Sequence, residues 1–155
     1  MDDIATLYER YHKDIYRYLY ALGQNAHRAE DVMQQTFLSA LKALHTFRGE
    51  ASVKTWLIAI ARREYYAALR REGADLPLDE AGQIEDARAS ARDGYLTAME
   101  AIRALPEPQR QITVLRLISE LPFADIAKLT GRSEAYCRVS FFRAKQKLME
   151  VLQDE

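Results

Sequence analysis

One cysteine and three histidines are all that this chain of 155 residues offers toward covalent cross-links or soft metal ligation. A lone thiol cannot close an internal disulfide, which fits a reducing compartment. His12, His27 and His45 are scattered with no second cysteine near them, which argues against a zinc site. Long apolar runs are missing too, and the N-terminus, with Asp2 and Asp3, lacks the basic-then-apolar order of a signal peptide, so a cytoplasmic protein is expected. The sequence holds no nucleophile beside a base, no metal cluster and no phosphate-cradling glycine loop. It is therefore read as a binding protein rather than an enzyme, with no cofactor and no small-molecule substrate. No series of strands is present, and the expected fold is all-α.

Net charge is also scant, at −1, but the average hides a pattern. Residues 1–72 carry 11 Lys/Arg against 9 Asp/Glu, residues 73–100 carry 2 against 7, and residues 101–155 carry 9 against 7. Two mildly basic lobes flank an acidic middle. In the last lobe Lys128, Arg132, Arg138, Arg143, Lys145 and Lys147 face only Glu134 over their span, a footprint suited to phosphates and equally compatible with a solvated face.

Taken in order, Ile4, Leu7, Tyr8, Tyr11, Ile15, Tyr18, Leu19 and Leu22 keep helical spacing, which predicts a helix from about Asp2 to Leu22, ended by Gly23. Asn25 can cap a second helix with Ala29, Met33, Phe37, Ala40, Leu41 and Leu44 inside and a polar face of Glu30, Asp31, Gln34, Gln35 and Lys42. On pattern alone that face is solvated. A loop follows at Thr46 to Ala51, and Ser52 caps a third helix reaching Arg71. It buries Val53, Trp56, Leu57, Ile60 and Ala61 and leaves Lys54, Arg62, Arg63, Tyr65, Tyr66, Arg70 and Arg71 mostly outside. Cations interleaved with tyrosines suit a single nucleic-acid strand; the same tyrosines could instead complete the core.

From Glu72 the periodicity fades into an acidic stretch punctuated by Gly73, Pro77 and Gly82, read as a flexible linker. A helix resumes near Gly94 with Tyr95, Ala98, Met99, Ile102 and Leu105 on one face, and another is predicted from Pro108 to Glu120 with Ile112, Leu115 and Ile118 facing in. The rest resembles a helix-turn-helix: Phe123, Ile126, Ala127 and Leu129 on the first helix, a turn at Thr130-Gly131-Arg132, and a second helix capped by Ser133. Cys137, Phe141, Ala144 and Leu148 form its inner stripe, leaving a basic outer surface suited to the DNA major groove or to plain solvation.

Read together, the motifs are more specific than any one alone. Ala29-Glu30-Asp31-Val32-Met33-Gln34-Gln35-Thr36-Phe37, then Phe47-Arg48-Gly49-Glu50, then Thr55-Trp56-Leu57-Ile58-Ala59-Ile60-Ala61-Arg62 closely resemble region two of bacterial sigma factors. Leu105-Pro106-Glu107, Arg110, Asp125-Ile126-Ala127 and Phe142-Arg143-Ala144-Lys145 resemble region four. The order and the short intervening segment, with no room for a region three, resemble the extracytoplasmic-function group. The resemblance divides the chain into region two (1–72), a linker (73–94) and region four (95–155).

The resemblance implies a dissociable initiation subunit that binds core RNA polymerase and selects promoter DNA. Asp31, Gln34, Gln35 and Phe37 would dock on the clamp helices of the largest polymerase subunit, which replaces the solvated reading of that face. Phe47, Arg48, Lys54, Arg62, Arg63 and Tyr66 would recognise and open the −10 element. Arg132, Ser133, Tyr136, Arg138, Ser140 and Arg143 would meet the −35 element. The acidic linker would pass near the active-site cleft and RNA exit path. An anti-sigma factor, often membrane-tethered in this group, would hold the chain inactive at the inner face of the membrane. One departure stands out. Where many relatives have Gly-Thr-Val-Lys followed by Ser-Arg-Leu, this chain reads Ala135-Tyr136-Cys137-Arg138-Val139-Ser140-Phe141, which leaves Tyr136 and Ser140 open as specificity positions. A free-standing repressor or activator, or a protein that copies sigma surfaces to sequester a partner, are the competing functions.

Overall fold

The computed structural model describes residues 2–73 and 94–153, the first four of the second stretch as backbone alone. Every regular element among them is helical, and they form two small compact units, one on each side of residues 74–93. The acidic linker read from the sequence lies outside the described residues.

In the first unit α1 spans Ile4–Gly23 and buries Leu7, Ile15, Tyr18, Leu19, Ala21 and Leu22. Asp3 caps it: its carboxylate accepts the Thr6 N–H at 2.9 Å, a bond that holds the carboxyl below its ordinary pKa. The stop differs from expectation by one residue. Gln24, at φ 51°, takes the left-handed conformation, and its N–H donates to the Tyr20 carbonyl. Gly23 serves another purpose, since a Cβ there would lie 2.7 Å from the Tyr65 hydroxyl. That approach lets α3 close on α1, and it buries Tyr65, which periodicity alone had left outside.

Helix α2 (Ala26–Ala43) begins at Asn25, whose side chain accepts the Arg28 N–H at 2.9 Å. Its inner face is Ala29, Val32, Met33, Thr36, Phe37 and Ala40. Thr36 is admitted because its hydroxyl donates to the Val32 carbonyl at 2.7 Å. Leu41, expected inside, is 52% exposed, and Leu44 is half-buried in the short 3₁₀ turn Leu44–Thr46. Helix α3 (Val53–Arg71) starts at Ser52, whose hydroxyl accepts the Thr55 N–H at 3.1 Å, and it packs on both α1 and α2. An ion pair between Arg28 and Glu72 ties the start of α2 to the end of α3. Its hydrogen bonds pull the Glu72 carboxyl below its ordinary pKa and raise that of the guanidinium.

The second unit holds α4 (Gly94–Arg103), α5 (Gln109–Thr113), α6 (Phe123–Thr130) and α7 (Glu134–Gln153), with α7 packed on the other three. Arg110 is only 4% exposed. Its Nε donates to Glu107 Oε2 at 3.2 Å and its Nη1 to the Arg103 carbonyl at 3.1 Å, while Glu107 Oε1 accepts the Gln111 N–H at 3.0 Å. The Leu105-Pro106-Glu107 motif with Arg110 is thus a buried lock between α4 and α5. The helix predicted through Glu120 does not stay α-helical. From Val114 to Ile118 it widens to a π-helical turn, closed by the Ser119 N–H on the Val114 carbonyl and by Glu120 at φ 59°. Thr113 and Ser119 flank this turn with buried hydroxyl oxygens that have no hydrogen-bond partner among the described residues.

Candidate polymerase and nucleic-acid interfaces

Along the outside of α2 a stripe runs at helical spacing through Asp31, Gln34, Gln35, Leu38 and Leu41. Asp31 lies 3.5 Å from His27 Nε2 and is 65% exposed at its side chain. Gln34 is exposed and donates to Glu30 at 3.1 Å. Gln35 is half-buried: its amide donates to Ser39 Oγ at 3.4 Å, and Ser39 in turn donates to Glu64 of α3 at 2.8 Å. Beside the stripe, a cleft of about 410 Å³ opens between α2 and α3, with Arg28, Gln35, Glu64 and Arg71 in its wall. Phe37 does not belong to this surface. It is 5% exposed, meets Tyr8 edge-on at 5.1 Å and is a core residue, because position 37 falls on the face that α1 covers. In its place the stripe gains Leu38, 54% exposed, and Leu41, which sequence reading had passed over or put inside. Two exposed leucines thus stand among amides and a carboxylate on this face.

The loop and α3 carry a different chemistry. Phe47 is half-buried with its ring edge-on to Trp56 at 5.4 Å, and Arg48 beside it is exposed. Lys54 is half-buried in the first turn of α3. Arg62 lies over the Tyr66 ring, 5.3 Å from its centroid, with its Nε buried and without a hydrogen-bond partner among the described residues; Tyr66 meets Tyr65 edge-on at 5.5 Å, and Arg63 is exposed. Of the predicted residues, Arg62 and Tyr66 pair with each other, while Phe47 pairs with Trp56, which was not among them. At 1.5 Å per residue, Trp56 and Tyr66 are about 15 Å apart along the helix axis. Trp56, expected in the core, is half-exposed and belongs to the aromatic surface.

In the second unit the turn has the predicted chemistry. Gly131 takes φ 70°, its N–H donates to the Ala127 carbonyl at 2.9 Å, and Ser133 Oγ accepts the Tyr136 N–H at 3.0 Å. Cys137 is fully buried with Thr130 Oγ1 3.8 Å from its sulfur, and Ala144 and Leu148 continue the inner stripe. Outward stand Arg132, Tyr136, Arg138 and Arg143, all exposed; the Arg132 guanidinium lies over the Tyr136 ring at 5.1 Å. Ser140 sits on the flank, with its carbonyl accepting from Gln109 at 3.1 Å. Arg138 reaches across to α6, 4.8 Å from the centroid of Phe123, and bonds Glu134 at 3.3 Å. Val139 and Phe142 are exposed on the same helix.

Residues 7–74 match the family described as Sigma-70 region 2, and residues 95–148 match Sigma-70, region 4. Across 95% of its length the chain is 29% identical to RNA polymerase sigma factor YlaC of Bacillus subtilis, covering 90% of that protein. It is 26% identical to ECF RNA polymerase sigma factor SigM of the same organism, with 94% and 92% of the two chains covered. The chain belongs to the extracytoplasmic-function sigma factors. It binds core RNA polymerase and directs it to promoter DNA for initiation. The sigma factor RpoE of Bartonella quintana, solved in complex with the anti-sigma factor NepR, shares the fold, with a TM-score of 0.77, 20% identity and 96% of each chain covered. Among the described residues, no helix of this sigma factor is long and apolar enough to cross a membrane, and no group of three or more His, Cys, Asp and Glu could hold a metal ion.

Proposed function

We propose that this sigma factor divides its work among three surfaces. Asp31, Gln34, Gln35, Leu38 and Leu41 of α2 dock on the polymerase clamp helices. Phe47, Arg48 and Lys54, together with Arg62, Arg63 and Tyr66, capture and open the −10 element. Arg132, Ser133, Tyr136, Arg138, Ser140 and Arg143 meet the −35 element. The observation that carries this division is segregation by chemistry: leucines, amides and a carboxylate on α2, against arginines paired with aromatic rings on α3 and α7. An amphipathic, uncharged-to-acidic stripe repels phosphate and suits protein, while guanidinium over a ring suits stacked bases and phosphates.

Residues 1–72 serve as the polymerase and −10 unit, residues 73–94 as linker and residues 95–155 as the −35 unit. The protein acts by binding, in the cytoplasm, and leaves the catalytic chemistry to the polymerase. An anti-sigma factor controls it by covering these same surfaces; the anti-sigma partner of RpoE, a sigma factor of the same fold, supports this reading. Transcription in vitro with core polymerase, scored on duplex and pre-melted promoters, tests the division. Variants at Gln34 and Leu38 should lose both templates, variants at Arg62 and Tyr66 chiefly the duplex, and variants at Arg138 the dependence on the upstream element. Tight promoter binding by the chain without polymerase would replace this reading with a free-standing repressor.

A further inference from the structure

Phe123 opens α6, yet its ring does more than pack. The guanidinium carbon of Arg138 lies 4.8 Å from its centroid and that of Arg116 lies 4.3 Å away, while the Phe141 ring meets it edge-on at 5.9 Å. Arg116 is itself fixed, its Nη1 donating to the Leu121 carbonyl at 3.0 Å just beyond the π-helical turn. A chain of contacts therefore runs from that turn through Arg116 and Phe123 to Arg138 on α7.

We propose that Phe123 is a positioning residue for promoter specificity, holding the Arg138 guanidinium over its ring so that the side chain meets the upstream element already oriented. This rests on the assignment of Arg138 to the −35 contact. An exposed arginine on a helix loses rotamer freedom when it grips a base or a phosphate, and this Arg138 is 61% exposed at its side chain. A ring beneath the guanidinium removes part of that freedom beforehand. A phenyl ring offers no oxygen or nitrogen acceptor, so the contact takes up none of the N–H fork, of which Nη2 bonds Glu134. That fork is the part that reads a guanine edge or clamps a phosphate. An exposed cation–π contact corresponds to about a two- to fivefold effect on an equilibrium.

The test uses the polymerase holoenzyme and a promoter panel in which each −35 base pair is varied, read as the ratio of initiation from matched and mismatched promoters. Arg138→Ala identifies the positions that depend on Arg138. At those positions Phe123→Leu, which keeps apolar bulk and removes the ring, should lower the ratio about two- to fivefold. Phe123→Tyr, which keeps the ring, should retain it, and Phe123→Leu should add nothing in an Arg138→Ala background. Melting curves of each variant separate unfolding from lost positioning; if Phe123→Leu does not fold, Phe123→Met takes its place under the same criterion. Full selectivity in Phe123→Leu beside a clear loss in Arg138→Ala overturns the positioning role alone. So does a Phe123→Leu loss that persists undiminished without Arg138, which would mean simple packing. No loss of selectivity in Arg138→Ala overturns this role together with base reading by Arg138, and no loss of initiation on any promoter of the panel overturns the −35 assignment of Arg138 as well.

Discussion

Replacing Glu107 by alanine should strongly destabilise the second unit while sparing the first. The carboxylate is 12% exposed at its side chain and holds two groups, the Arg110 guanidinium at 3.2 Å and the Gln111 N–H at 3.0 Å. Its removal leaves a cation that is 5% exposed at its side chain with the Arg103 carbonyl as the remaining partner. Breaking one side of a buried pair costs about 3–5 kcal/mol. The described part of this unit is 60 residues, residues 94–153. A domain of that size commands only about 3–9 kcal/mol in total, so the loss removes most of its stability and lowers its melting temperature by roughly 12–40 °C. Circular dichroism of the intact chain should then show an early transition for the second unit and a later one for the first. The double variant Glu107→Leu with Arg110→Met should lie closer to wild type than either single replacement, because an apolar pair leaves no stranded charge. A Glu107→Ala protein melting within about 2 °C of wild type, or a double variant as unstable as the summed singles, would refute the lock.

On α2, Leu38→Asp with Leu41→Asp should abolish association with core polymerase at unchanged melting temperature, since both leucines are about half exposed; Phe37→Ala should instead cost about 3–5 kcal/mol of stability, measured by urea titration. The Glu72 carboxyl is held below its ordinary value of 4.5 by Arg28, so the stability it contributes is present above about pH 4.5 and disappears as pH falls through the lowered value. Arg28, whose guanidinium pKa is raised further by its hydrogen bond to Glu72, stays charged throughout that window. Glu72→Gln should therefore be less stable than wild type near neutrality and equal to it near about pH 2, and a gap of the same size at both pH values would count against the pair. Alanine at Arg62 and Tyr66 should slow open-complex formation on duplex promoters at least about tenfold, by loss of stacking and cation–π contacts, and much less on a pre-melted bubble. Permanganate footprinting reads the difference.

What could be read in the sequence was the chemistry that acts locally. The caps Asn25, Ser52 and Ser133 and the left-handed turn at Gly131 depend on a few neighbouring residues, and they stand where the sequence puts them. Periodicity failed where a surface leucine and a core leucine look alike. Leu41 fits the inner stripe of α2 by spacing, but it faces outward as part of a surface that the isolated chain does not cover. Phe37 shows the converse, sitting in a motif associated with docking while its own side chain packs under α1. Tyr65 is buried through an approach to Gly23, 42 positions away, which no local pattern encodes. The π-helical turn and the two guanidiniums at Phe123 also depend on contacts between elements, and spacing alone carried no signal for them.

The burial pattern of α7 bears on how such a protein changes its target over generations. Cys137, Ala144 and Leu148 are buried and hold the helix in place, whereas Val139, Phe142 and Arg143 stand exposed on its outer face. Substitutions at outward positions typically change stability by less than about 0.5 kcal/mol, so a duplicated copy can drift in the DNA it prefers without passing through unfolded ancestors. Arg138 is the exception, because its partner sits on a different helix. A lineage that abandons arginine there leaves Phe123 with Arg116 and Phe141 but with no side chain of α7's outer face to hold, so positions 123 and 138 should be exchanged together, as a unit of inheritance, while the rest of that outer face varies freely.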